Sequence, residues 1–134
     1  MNIQIAASIA TPDACAFLTG GDAEVEIWER LWNKHKDVKG TFEYDILLSP
    51  HHCSWHSLSE ESWSGTKGQA KVNPDARQAL AQAKQGAFIV ASSALIKDDD
   101  KDPPCFGAKV EYERIVAGVN GEFYCTGEYL SSPM

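Results

Sequence analysis

Two short stretches of this chain hold the residue types that chemistry needs. In Thr19-Gly20-Gly21-Asp22 a carboxylate follows an apolar run and two glycines. Glycine tolerates a tight backbone path, so the Asp22 carboxylate can project beyond the edge of a sheet, where a metal ligand would stand. In Pro50-His51-His52-Cys53-Ser54-Trp55-His56 a pair of imidazoles follows the apolar run Ile46-Leu47-Leu48. A carboxylate and an imidazole together suit a hard or borderline divalent ion such as zinc or manganese. Such an ion brings the pKa of a bound water to about 7 and supplies hydroxide for attack on an ester or phosphoryl centre. Adjacent histidines point different ways, so one is expected to ligate and the other to support it or reach a substrate oxygen. His51 is the first choice because it is nearer the strand end. The plainer reading of Asp22, a cap on a helix opening at Ala23, stays open beside the ligand reading, and one residue can do both.

The remaining candidates weigh towards structure. His56 sits beside a Trp and a Ser and reads as structural or solvated, and His35, in a basic helix end, as a partner of the helix dipole. A nucleophilic Cys53 would need a base and an orienting carboxylate at defined distances, which no motif supplies. Trp55 and Trp63 either flank a substrate groove or are buried under their loop. The run Lys97-Asp98-Asp99-Asp100-Lys101-Asp102 lacks the glycine and the closing glutamate of an EF-hand loop and reads as solvated. The four cysteines are scattered with no Cys-x-x-Cys pair, which argues against a zinc ribbon and for free thiols.

These groups are carried on an alternation of apolar runs and amphipathic stretches. Asn2 to Ala10 reads as a strand followed by the turn residues Thr11-Pro12-Asp13, and Ala14 to Leu18 as a buried strand. A helix is predicted over Ala23 to Lys36, with Val25, Trp28, Leu31 and Trp32 on one face, acids early and bases late. Phe42 to Leu48 reads as a second buried strand, and Ser57 to Val72 as a long surface loop, a candidate lid, with a helical turn at Ser59 to Trp63. Asn73 and Pro74 open a helix that runs from Asp75 to Lys84. Ala87 to Ala91 is a third buried strand, Ala108 to Val116 a last helix and Glu122 to Thr126 a terminal strand. Residues 1–134 thus form one domain of α/β layer architecture, whose functional residues belong where strands end. If the strands before Asp22 and before His51 are neighbours joined by the first helix, their ends share one rim and the two groups converge.

Composition narrows the partners. Of 134 residues, 43% are hydrophobic, enough for a modest core. The net charge of −7 disfavours binding to a phosphate backbone unless a metal intervenes. No apolar run approaches the roughly 20 residues that span a bilayer, and the opening Met1-Asn2-Ile3-Gln4 lacks the features of a secretion signal, so a cytoplasmic setting with no membrane partner is expected.

Taken together, Ala16-Phe17-Leu18-Thr19-Gly20-Gly21-Asp22-Ala23-Glu24, the helix, and Tyr44-Asp45-Ile46-Leu47-Leu48-Ser49-Pro50-His51-His52-Cys53-Ser54 resemble the metallo-β-lactamase fold. The resemblance is closest to the hydrolase domain of competence-type DNA-uptake channel proteins, which typically carry Thr-Gly-Asp and Pro-His-His-Gly-Ser at these places. Here an extra glycine precedes Asp22, and Cys53 stands where the family has glycine. The likeness implies a metal-dependent hydrolase of phosphoesters or other esters, with Asp22 shared between two metal ions and a histidine of the pair His51-His52 on the second. The family's His-x-His-x-Asp-His motif, which holds the first ion, is absent. The resemblance is therefore to the C-terminal half of the αββα sandwich, one mixed sheet with helices on one face. Half a sandwich leaves an apolar sheet face to cover, which implies a homodimer or a separately encoded N-terminal half. The alternative is a non-catalytic remnant serving as a protein-interaction module.

Overall fold

Strand β1 (Gln4–Ala6) runs antiparallel to β2 (Phe17–Thr19), with Gln4 opposite Thr19 and Ala6 opposite Phe17, in a computed structural model that describes residues 4–6, 15–67 and 69–130. From β2 onward the chain repeats one step, strand then crossover: α1 (Val25–His35), β3 (Tyr44–Leu48), α2 (Pro74–Leu80), β4 (Ala83–Ala91), α3 (Phe106–Ala117) and β5 (Glu122–Cys125), before a short α4 (Thr126–Leu130). The strands lie in chain order β1-β2-β3-β4-β5, and β2 to β5 are parallel. The class is α/β, as the alternation of strand and helix signals predicts.

The two faces of the sheet differ. The register aligns Leu18, Leu47, Ile89 and Phe123 across the strands, with Ala91 beside Cys125. Leu18, Leu47, Ile89, Ala91 and Cys125 are buried in one cluster with Trp28 of α1, Ala76, Ala79 and Leu80 of α2, and Ala108, Tyr112 and Ile115 of α3. All three helices therefore cover this face, as right-handed crossovers between strands laid in consecutive order require. The opposite face carries Phe17, Ile46, Phe88 and Glu122 in one row and Thr19, Leu48, Val90 and Tyr124 in the next. Here Phe17 is 36% and Phe88 42% exposed, with the Phe88 and Tyr124 rings 5.7 Å apart.

Local chemistry sets most element ends. The Asn73 side chain accepts from Ala76 N at 2.9 Å and so caps α2, with Pro74 at its first position. In α1, Glu26 stands in the first turn and Lys34 and His35 in the last, each favourable to the helix dipole. Val25 and Trp28 are buried, with Leu31 and Trp32 packed against the core.

Several expected bounds are corrected. The second helix ends at Leu80, not Lys84, and Ala83, Lys84 and Gln85 belong to β4. Pairing decides this: Tyr44 N takes Gln82 O at 3.2 Å, the Tyr44 hydroxyl donates to Leu80 O at 2.6 Å, and Ala83 lies opposite Tyr44. Those bonds outweigh the helix propensity of Ala-Lys-Gln. The register then jumps, so that Ile46 pairs with Phe88, and Gly86 takes up the irregularity at φ +77°. No helix forms at Ser59 to Trp63; a 3-10 turn forms instead at Trp55–Ser57, where the Ser54 hydroxyl accepts from His56 N. The last strand stops at Cys125, because Thr126 opens α4. The expected turn at Thr11-Pro12-Asp13 lies outside the described residues.

Gly20, at the tip of β2, is required by packing. A Cβ there would lie 2.3 Å from the fully buried Trp28 ring, whose indole donates to Ala23 O at 3.1 Å. Gly20→Ala is therefore expected to destabilise the chain by about 1–3 kcal/mol, the usual cost of overpacking a rigid core. The check is the urea midpoint, which should fall with the m-value unchanged.

Candidate functional site

Because β2, β3 and β4 are parallel, their C-terminal ends lie on one rim, and the segments 20–24, 49–54 and 92–105 all leave from it. Backbone bonds fasten these segments together. Ser49 N donates to Val90 O at 2.9 Å, and His51 N donates to Gly21 O at 2.7 Å. Gly21 has φ +55°, which glycine adopts freely. The glycines of the first motif thus have different duties: Gly20 makes room for Trp28, and Gly21 turns the chain to meet His51.

The second motif has an unusual backbone. His51, His52 and Cys53 have φ of 52°, 53° and 65°, three successive non-glycine residues in the left-handed region. Each such residue costs about 1–3 kcal/mol and persists only where surrounding bonds over-determine it. Three bonds do so here. His51 N is held by Gly21 O at 2.7 Å, His52 Nδ1 lies 2.7 Å from Ser92 O, and Cys53 O accepts from Cys105 N at 2.9 Å. The turn is thus tied to the tips of β2 and β4 and to the start of α3.

The two imidazoles diverge, as neighbours in sequence should. His51 turns its Nδ1 towards Glu24, 3.8 Å from Oε2, and that nitrogen is buried without a hydrogen bond. His52 is exposed. Donation of its Nδ1 proton to the Ser92 carbonyl leaves Nε2 as a bare lone pair, the tautomer and support found behind metal-binding histidines. His52 is therefore better prepared than His51 to ligate through Nε2.

Asp22 is exposed, and its carboxylate makes no hydrogen bond or ion pair among the described residues. It does not cap α1. The capping position is Glu24, whose side chain makes no capping bond. Glu24 is the residue that sequence reasoning missed, because an acid at a helix start is already explained by the helix dipole. The segments at the rim thus carry two imidazoles and two carboxylates, the donor types that zinc or manganese accepts, of which His51 and Glu24 meet at 3.8 Å. They fall short as a complete site: among the described residues no three His, Cys, Asp or Glu side chains are grouped to hold a metal ion.

A second pair lies beside the first. His56 Nε2 is 3.8 Å from Asp102 Oδ2, and Asp102 accepts from Trp55 N at 3.2 and 3.3 Å. Lys97 and residues 98–101 are exposed, but the Asp102 side chain is largely buried, which corrects the expectation of a wholly solvated run. His35 stands in the last turn of α1, its ring 6.5 Å from Phe42. Cys53, Cys105 and Cys125 are buried and Cys15 is exposed, all unbridged. Burial pushes the Cys53 thiol well above its ordinary range, with Cys105 and Cys125 adding to the shift, so it stays protonated and is no nucleophile. Burial also pushes Cys105 up to about 11.

An acid whose pKa is higher folded than unfolded contributes its stabilisation in full below the unfolded pKa. That contribution is lost as pH rises past the unfolded value of about 8.5 towards the folded one. The urea midpoint is therefore expected to decline above about pH 8.5, and less so in Cys53→Ala measured against its own neutral-pH value. A thiol reagent should label Cys15 at once and the other three only on unfolding.

Compared with known protein families, with curated proteins and with solved structures, the chain matches none.

Proposed function

We propose that the chain is one half of a metal-dependent hydrolase, with Asp22, His51 and His52 contributing ligands at the rim and a second half completing the set. The observation that carries this reading is His52: its Nδ1 is fixed on Ser92 O while its Nε2 stays available beside the tied β2 and β3 tips. A divalent ion there would supply an activated water for cleavage of a phosphoester or other ester. The chain's own residues hold the geometry. The left-handed turn sets the two imidazoles apart, the Ser92 carbonyl fixes the His52 tautomer, and the Gly21 carbonyl keeps Asp22 on the same rim. Zinc and manganese both suit the donor set.

Equilibrium dialysis of the purified chain against zinc is expected to show one ion per chain, weakened about 10- to 100-fold by Asp22→Ala and by His52→Ala. Loss of the Ser92 carbonyl contact cannot be made by side-chain substitution, so His52→Gln serves as the shape-conserving control. Binding that survives both alanine variants, or no binding at any zinc concentration, contradicts the reading.

A second reading, a protein-interaction module, is favoured by one observation, the sheet face turned away from α1, α2 and α3, with Phe17 and Phe88 exposed on it. Phe17, Ile46 and Phe88, apolar and in register over three strands, are what another sheet packs against, about 10 Å away. The two readings meet if the covering partner brings the missing ligands, and a second copy of this chain is the simplest such partner. Sedimentation over a range of concentrations is expected to reveal a dimer that Phe88→Lys converts to monomer, with the thermal midpoint of the monomer little changed. A wild-type monomer throughout removes the homodimer and leaves a separate half as the cover.

A further inference from the structure

We propose that the groove between the segment 55–72 and α3 binds a small, flat aromatic anion: a ring carrying a hydrogen-bond acceptor and a negatively charged substituent. The proposal stands apart from the metal reading, since neither Asp22, His51 nor His52 lines the groove. Its volume is about 480 Å³, within the range of small-ligand sites.

Three features define what fits. The first is the aromatic wall. Trp55 and Trp63 stand with ring centroids 4.9 Å apart at 58°, and Phe106 and Val110 of α3 add apolar surface. Trp63 is seated on the α3 backbone: a Cβ at Gly107 would lie 2.5 Å from its ring, so only glycine lets the indole approach so closely. An indole held in that way offers a fixed stacking surface for a planar ring.

The second is an orphan donor. Trp55 is 2% exposed, and its indole N–H is buried with no acceptor. A buried N–H without a partner costs the desolvation of that group, and because Trp55 lines the groove, a ligand acceptor that meets the N–H as the ring turns towards it would remove that cost. Trp28 shows the contrast, for its indole N–H is satisfied by Ala23 O.

The third is charge. The chain as a whole carries −7, yet Lys71 and Arg114 both line this groove. The Lys71 ammonium has no carboxylate partner among the described residues. Arg114 contacts only Glu111, at 3.0 Å, and Glu111 is shared with Arg77, also at 3.0 Å. The remaining carboxylate on the lining, Asp98, is the acceptor for an exocyclic amino group on the ring. Two cations on the lining, one of them without a carboxylate partner among the described residues, beside an aromatic wall favour a ring with an anionic tail over a neutral ring.

The test uses the full chain labelled with nitrogen-15 and adenosine monophosphate as the probe, with adenosine lacking the charge and inorganic phosphate lacking the ring. Two of the four indole N–H signals, those of Trp55 and Trp63, are expected to shift saturably with the monophosphate, assigned through Trp55→Phe and Trp63→Phe. Adenosine should bind about tenfold more weakly, and phosphate alone should shift neither signal. Lys71→Gln, an exposed substitution that leaves the fold intact even if a tryptophan variant does not fold, should weaken the monophosphate about fivefold and leave adenosine unchanged. The proposal is overturned by no saturable shift up to about 10 mM probe, by shifts confined to Trp28 and Trp32, by equal affinity for adenosine and its monophosphate, or by an unchanged affinity in Lys71→Gln.

Discussion

The bond from His51 N to Gly21 O, 2.7 Å long, joins the exits of two neighbouring parallel strands, and the rest of the rim depends on it. Without an anchor of that kind three consecutive left-handed residues would relax towards ordinary backbone, because each non-glycine residue there crowds its Cβ against the backbone. Bonds to Ser92 and Cys105 share the restraint, so the turn is fixed from three directions by segments that leave β2 and β4 and enter α3. The direction of the imidazoles follows from this backbone. A turn of ordinary hand would send His51 and His52 elsewhere, and neither the Glu24 contact nor the Ser92 bond would form.

Much of this was legible from residue types. The apolar runs before Gly20 and before Pro50 marked parallel strands, and the amphipathic stretch between them marked the crossover, so a shared rim followed from the handedness and adjacency of such units. The divergence of the two histidines was legible too, as a property of adjacent residues. Other features were not. The left-handed path at Cys53 has no local signal, for cysteine does not favour it. The choice between His51 and His52 turned on Ser92, forty residues away in sequence. The strand at Ala83 to Gln85 was hidden because its residues favour helix, and Tyr44, far along the chain, overrides them. Asp102 was hidden among acids that are exposed, and only its acceptance of the Trp55 N–H distinguishes it.

Asymmetry between the sheet faces bears on both functional readings. One face is sealed by the three helices around Leu18, Leu47 and Ile89, while the other presents Phe17, Ile46, Leu48, Phe88 and Val90 with no helix among α1, α2 and α3 to shield them. The rim with Asp22 and the paired histidines lies at the C-terminal ends of β2, β3 and β4, whose side chains form that layer. The aromatic groove lies between α3 and the segment 55–72.

The order of the strands carries a consequence for biosynthesis. From β2 onward each strand is laid beside its predecessor, and each helix folds back over the pair just made. A chain emerging from the ribosome in that sequence never has to wait for a later strand to be threaded between earlier ones; every new unit meets a docking edge already present. Assembly by accretion from one side matches the direction of synthesis, and the growing edge must be protected until the next unit arrives.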